Sequence, residues 1–185
     1  MEIILASASP RRRELLGKIV KDFKVIVSGE EEKSLKTVPE EICCELALQK
    51  AKAVAKNNCE SIVIGADTIV VLNGKILGKP QTVEDNVNYL ESLSGTSHYV
   101  LTGYAIIYKD RLYSGVEKTE VKFRELSREE ITAYCQNGNG LDKAGGYGIQ
   151  DGDFVFEIIG DYDNVVGFPT RTIEKVLKNI IRSKV

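Results

Sequence analysis

The chain has 185 residues, 43% of them apolar, enough for a real core and for about one domain, plain or two-lobed. Its 25 Lys and Arg against 27 Asp and Glu leave a formal net charge of −2, which excludes the bulk nucleic-acid binding that rests on excess positive charge but still allows a local basic pocket. No stretch approaches the roughly 18 apolar residues that cross a bilayer, and the first apolar run is too short for a secretory leader, so a soluble, cytoplasmic protein without membrane contact is expected.

Ile3, Ile4 and Leu5 read as a short buried strand, and Ser7 to Ser9 make the turn that follows. Pro10 suits a first helical position, where its missing N–H costs nothing. Arg11, Arg12 and Arg13 then fill the first helical turn. Their charge is the wrong sign for the helix dipole there, while the unpaired backbone N–H groups favour an anion. A bound phosphate chain resolves that conflict; an ordinary connection with solvated arginines is the plainer alternative.

Phe23 to Val27 reads as a short strand, and residues 28–36 as a polar, acid-rich loop. Pro39 opens a helix to about Asn57, with Ile42, Leu46, Ala47 and Ala51 at helical spacing. A strand from Ser61 to Leu72 follows, then a hairpin signal at Asn73-Gly74 that returns the chain beside it and would bring Lys79 near Asp67. A helix covers Val83–Leu93. Two long strands, Tyr99–Tyr108 and Arg111–Phe123, meet at Lys109-Asp110. Ser127 with Glu130 three residues later predicts a capping box on the next helix. After a glycine-rich segment come a strand over Asp153–Ile159 and a last helix from Pro169 to about Arg182. This order predicts an α/β fold with a mixed twisted sheet and flanking helices.

Asp67 stands inside an otherwise apolar strand, where a carboxylate costs several kcal/mol unless a cation or hydrogen-bond donor meets it. It is either paired structurally or placed for a task, and Thr68 beside it faces the other way if the strand is regular. Gly74 to Pro80 is not a phosphate loop of the NTPase type, because the glycine spacing is one short and Pro80 stands where Ser or Thr would hold magnesium. Gly138-Asn-Gly140 fails as a dinucleotide fingerprint, since Lys143 occupies the third glycine position. Cys43, Cys44, Cys59 and Cys135 contain no Cys-x-x-Cys pair, and His98 is the one histidine available to join them, so buried or half-buried thiols are expected rather than zinc ligands. His98 reads as a surface or hydrogen-bonded residue, which disfavours Ser-His-Asp and Cys-His hydrolysis. In the glycine-rich turn 141–151, Gln150 carries both a donor and an acceptor with which to read a base edge.

Leu5-Ala-Ser-Ala-Ser-Pro-Arg-Arg-Arg-Glu-Leu-Leu16, Leu46 to Ala51, Gly65-Ala-Asp-Thr-Ile-Val70, Gly78-Lys-Pro80, Leu93-Ser-Gly95 and Ala144-Gly-Gly-Tyr-Gly-Ile-Gln150, in this order, resemble the Maf family of nucleoside triphosphate pyrophosphatases. The resemblance implies two lobes around a central cleft, as in inosine triphosphatases, in a single domain over 1–185. It implies hydrolysis of the α–β phosphoanhydride bond with a divalent cation, Mg²⁺ or Mn²⁺, as a nucleotide-pool house-cleaning activity. Asp67 would be the proton acceptor, Ser7, Arg11, Arg12, Lys50 and Lys79 the phosphate-binding residues, and Glu32, from the run of three glutamates at 30–32, the acidic loop residue and metal partner of Asp67. Whether Asp67 holds the metal, takes the proton or does both stays open. The Asp-Thr-Ile-Val and Gly-Ile-Gln forms are similar to the branch acting on dTTP and UTP, with Arg11, Thr68 and Gln150 as its specificity positions. A homodimer is also implied, and no stable nucleic-acid complex. The alternative is a regulator of cell division that grips nucleotides or nucleic acid without turning them over.

Overall fold

The computed structural model describes residues 1–182. Seven strands form one mixed sheet in the order β2-β1-β3-β5-β6-β7, with β4 joined to β3 outside that path. β1 (Ile3–Leu5) runs parallel to β2 (Lys24–Val25) and to β3 (Ile62–Leu72). β3 also pairs antiparallel with β4 (Lys75–Leu77), and β6 (Arg111–Phe123) pairs antiparallel with β7 (Val155–Ile159). The α/β expectation therefore stands. By its contacts the chain divides into two compact units, the first made of Met1–Asp67, Thr102–Glu117 and the segment from Gly167, the second of Thr68–Leu101 and Lys118–Val166.

In the first unit, α1 (Pro10–Ile19) begins as the sequence predicts: Pro10 is in its first turn, and the Ser9 hydroxyl accepts from the Arg12 N–H. It packs against α6 (Thr170–Arg182). Behind β1 and β3 lies α2 (Pro39–Ala55), whose Ala47, Ala51 and Val54 join Ile4, Ala6, Val63 and Ala105 in a core of small side chains. The reason is the closeness of the helix. A Cβ on Gly65 would collide with the Ala47 carbonyl oxygen and sit 2.9 Å from the Ala51 nitrogen, and one on Gly103, in β5 (Ser97–Tyr108), would run into the backbone of Cys43 and Cys44. Residues two apart on a strand share a face, so the face that admits α2 at Gly65 also carries Asp67.

The second unit has its own core, in which Leu90 and Leu93 of α3 (Val83–Leu93) and Ile131, Tyr134 and Cys135 of α4 (Arg128–Gln136) surround Phe123, Tyr147 and Phe154. The predicted box on α4 is present, Glu130 N–H donating to Ser127 Oγ (3.2 Å) and Ser127 N–H to Glu130 Oε2 (2.8 Å). Asn73 and Gly74 both take positive φ, 49° and 77°, as a two-residue hairpin turn requires. Pairing in that hairpin ends at Val70–Leu77, so its register does not extend to Asp67, and the lysine that meets this carboxylate is Lys50. Cys59 departs from expectation: it is exposed, in the reversal between α2 and β3. The five-residue helix α5 (Tyr162–Val166) was not anticipated either, being too short to show a helical period.

Candidate active site

In the first unit the expected residues come from β1, α1, α2, β3 and the loop before α2. Ser7, at the end of β1, is 5% exposed, and its hydroxyl accepts from the Ser9 N–H (3.2 Å) and from Arg12 Nη1 (3.3 Å). Arg12 also donates from Nε to the Gly167 carbonyl at 2.9 Å. Successive helical residues are about 100° apart, so the three arginines cannot share one direction. Arg12 turns inward and Arg13 is exposed. Burial holds the Arg12 guanidinium below its ordinary value; Asp67 and Glu32 oppose that shift and Arg11 adds to it. Arg12 therefore senses both carboxylates of the site.

Lys50 joins those carboxylates. Its Nζ lies 2.9 Å from Asp67 Oδ1 and 2.9 Å from Glu32 Oε2, with the three side chains only 16%, 18% and 27% exposed respectively. Lys50 follows Ala47 by three residues and precedes Ala51 by one, so the helix face resting on Gly65 also delivers the ammonium to Asp67. Among the three glutamates the structure discriminates clearly. Glu30 pairs with Lys56 and Glu31 with Lys33, all at least 63% exposed, whereas Glu32 alone of the three turns to Lys50.

Gln49 explains why, and the sequence reading missed it. Its side chain accepts from the Lys33 N–H (3.1 Å) and donates to the Lys33 carbonyl (2.7 Å), docking the acidic loop on α2 one residue before Lys50. The signal was an amide beside a site lysine, which is too common in helices to single out. Ser34 reinforces the docking through a hydrogen bond to Glu45.

Burial makes Cys43, Cys44 and His98 poor candidates for a nucleophile or a base at neutral pH. Burial, with help from Cys44 and Asp67, pushes the Cys43 thiol up to about 12, and burial also raises Cys44. His98 is 1% exposed, and burial lowers it to about 4. It is neutral at pH 7 and shares a 2.7 Å hydrogen bond with Tyr147.

The remaining expected residues, Thr68, Lys79 and Gln150, belong to the second unit. Thr68 is half-buried in β3, and Lys79 and Gln150 are exposed. Gly78 accepts from the Gly145 N–H at 3.0 Å, so the loop carrying Lys79 lies against the glycine turn that leads to Gln150. An open pocket of about 690 Å³ in the first unit is lined by Ser7, Ser9, Arg13 and Lys21 together with Phe23 and Val25; it shares Ser7 with the site but includes neither Lys50 nor Asp67.

Lys50 Nζ bridges Asp67 and Glu32, and two carboxylates sharing one cation are a charge arrangement that a divalent ion would also satisfy. Among the described residues no group of three or more His, Cys, Asp and Glu side chains is placed to hold a metal ion.

Residues 2–180 of this α/β chain match the family described as Maf-like protein. The chain belongs to the Maf family. It is 52% identical over 176 residues to the dTTP/UTP pyrophosphatase of Thermococcus onnurineus, covering 94% of this chain and 95% of that one. With the dTTP/UTP pyrophosphatase of Deinococcus radiodurans it shares 47% over 178 residues, 95% and 91% of the two chains. Among solved structures, the Staphylococcus aureus Ham1 protein aligns with a TM-score of 0.48 at 23% identity, over 69% of this chain and 73% of that one.

Proposed function

We propose that this protein hydrolyses nucleoside triphosphates, dTTP and UTP foremost, to the monophosphate and pyrophosphate, clearing the nucleotide pool. The observation that carries the reading is Lys50 between Asp67 and Glu32, beside Arg12 and Ser7, in a chain about half identical to two dTTP/UTP pyrophosphatases. The family match runs through both units, which supports treating residues 1–185 as one catalytic domain.

In this reading Ser7, Arg11, Arg12 and Lys50 receive the phosphate chain, and the positive charge of Arg11, Arg12 and Lys50 offsets the charge that develops on the leaving pyrophosphate. Lys50 passes from the carboxylates to phosphate oxygens as substrate enters. Water attacks phosphorus, its proton goes to Asp67, and the bond to the α–β bridging oxygen breaks. Asp67 and Glu32 would hold Mg²⁺ or Mn²⁺, which supplies charge neutralisation at the phosphate oxygens when bound. Lys79 serves as a further phosphate residue, and Thr68 and Gln150, with Arg11, select the nucleotide. No described helix is long and apolar enough to cross a membrane; a cytoplasmic homodimer without a stable nucleic-acid partner completes the proposal.

The test is pyrophosphate release from dTTP, UTP, CTP, ITP and 7-methyl-GTP, with and without Mg²⁺ or Mn²⁺. Metal-dependent release led by dTTP and UTP is expected. Tight binding with no release from any of them would refute the enzyme and leave a nucleotide-binding regulator.

A further inference from the structure

Gln150 sits near the end of a glycine-rich segment. Gly145 and Gly146 have φ of 72° and 75°, a region other residues avoid, and nothing in their own side chains fixes the chain's path. Two tyrosines do so. Tyr147 points into the core, 5% exposed, its ring 4.7 Å from that of Phe123 and its hydroxyl bonded to His98. Tyr134 comes from α4, 7% exposed, with its ring edge-on to Phe154 at 5.0 Å.

The Tyr134 hydroxyl makes two hydrogen bonds, accepting from the Gly148 N–H and donating to Asp151 Oδ2, both at 3.1 Å. Gly148 and Asp151 are the two ends of the turn that carries Ile149 and Gln150, and the turn is closed by the Asp151 N–H donating to the Gly148 carbonyl at 3.0 Å. One buried oxygen thus grips the turn on both sides of Gln150. Asp151 is held in place by Lys143, whose Nζ is 3.1 Å from the same Oδ2 and 2.8 Å from Asp142 Oδ1. Lys143 is only 14% exposed on its side chain, so it supports this bracket instead of reaching freely into solvent.

We propose that Tyr134 is a positioning residue for nucleobase selection: its hydroxyl, bonded at once to Gly148 and Asp151, sets the direction in which Gln150 meets the base. The proposal rests on the reading of Gln150 as a base-recognising residue. Tyr134 itself touches no substrate. A side chain that orients Gln150 matters for choice among bases and not for bond cleavage at the phosphates.

The experiment compares dTTP and ITP hydrolysis by wild type, Gln150→Ala, Tyr134→Phe and the double variant. Tyr134→Phe keeps the ring packing and removes only the clamp. It should lower the dTTP-over-ITP ratio of kcat/KM by about five- to tenfold, as expected for a hydrogen-bonded constraint. The loss should lie in the KM for dTTP, with kcat little changed. The double variant should discriminate no worse than Gln150→Ala, because a clamp on an absent side chain selects nothing. Asp151→Ala opens the same bracket from its solvent side and should shift the ratio in the same direction, which keeps the test decisive if Tyr134→Phe is poorly folded. If Gln150→Ala retains the wild-type ratio, the base-reading role falls and this proposal with it. If Gln150→Ala loses the ratio while Tyr134→Phe and Asp151→Ala keep it, or if the losses simply multiply in the double variant, Tyr134 does not act through Gln150.

Discussion

Replacing Lys50 with Met removes the one ammonium lying within 2.9 Å of both Asp67 and Glu32 and leaves a chain of similar length. Deleting one partner of a fully buried ion pair costs about 3–5 kcal/mol, because the charge left behind has lost both its solvent and its counter-ion. Here the carboxylates keep 18% and 27% exposure, and Arg12 still acts on both, so a loss of about 2 kcal/mol is expected. For a chain of this size that is a drop in Tm of about 4–8 °C, readable by scanning calorimetry without nucleotide. Mn²⁺ should then do for the variant what the ammonium did. At about a hundred times its dissociation constant a native-state ligand adds about 2.7 kcal/mol, enough to return the Tm to the wild-type value. In wild type the same ion must compete with Lys50, so its effect should be clearly smaller. A rise in Tm as large in wild type as in Lys50→Met would refute the idea that one cationic position is shared between the lysine and the metal. Hydrolysis by Lys50→Met should fall steeply at any metal concentration, since the proposed phosphate contact is gone as well.

Asp67→Asn should retain its fold within a few degrees of Tm, since the amide oxygen can still accept from Lys50, while turnover drops by about 10²–10⁴ from the loss of a proton acceptor; turnover within a factor of ten of wild type would count against that role. Gly65→Ala should lower stability by about 3 kcal/mol, measured by chemical denaturation, because the new Cβ meets the backbone of α2 rather than a movable side chain. His98 links stability to pH. Its buried ring stays neutral down to about 4, whereas the unfolded chain takes up the proton near 6.5, so stability is complete above 6.5 and is lost as pH falls toward 4. Between pH 7 and pH 5 that is about 2 kcal/mol, or about 4–8 °C. It is the single histidine of the chain, so His98→Gln should flatten the Tm profile across that interval; an already flat wild-type profile would contradict the buried neutral ring.

Local chemistry was readable wherever one segment carried the whole signal. The Asn73-Gly74 turn, the Ser127–Glu130 box and Pro10 at the start of α1 each depend on residues within four positions, and all three occur as expected. Asp67 was visible because a carboxylate in an apolar strand demands a partner, yet the strand does not say which one. Lys50 reaches it only because Gly65 and the small residues of α2 permit a close approach between elements far apart in sequence. The same reasoning separates Glu32 from Glu30 and Glu31: three adjacent glutamates look alike until Gln49 fixes the loop. Tyr134 lies on a helix whose pattern marks it only as core, and its hydroxyl gains a role from a turn that arrives ten residues and more later. His98 was read as surface or hydrogen-bonded; the hydrogen bond is present, and the burial comes from Phe123 and Tyr147, which no local pattern announces.

The contact at Gly65 makes the peptide backbone the gauge of the ion pair. Two main chains in touch leave little slack for side chains of different volume to take up, so the backbone spacing between α2 and the strand carrying Asp67, from which Lys50 reaches that carboxylate, is fixed largely apart from exchanges elsewhere in the core. Libraries that vary apolar core positions would shift the melting temperature while leaving the charge spacing where it was. If Gln150 reads the base as proposed, retooling toward other nucleotides is better aimed at its turn, where the chain's path is held by a few hydroxyl and carboxylate contacts that can be rewritten one at a time.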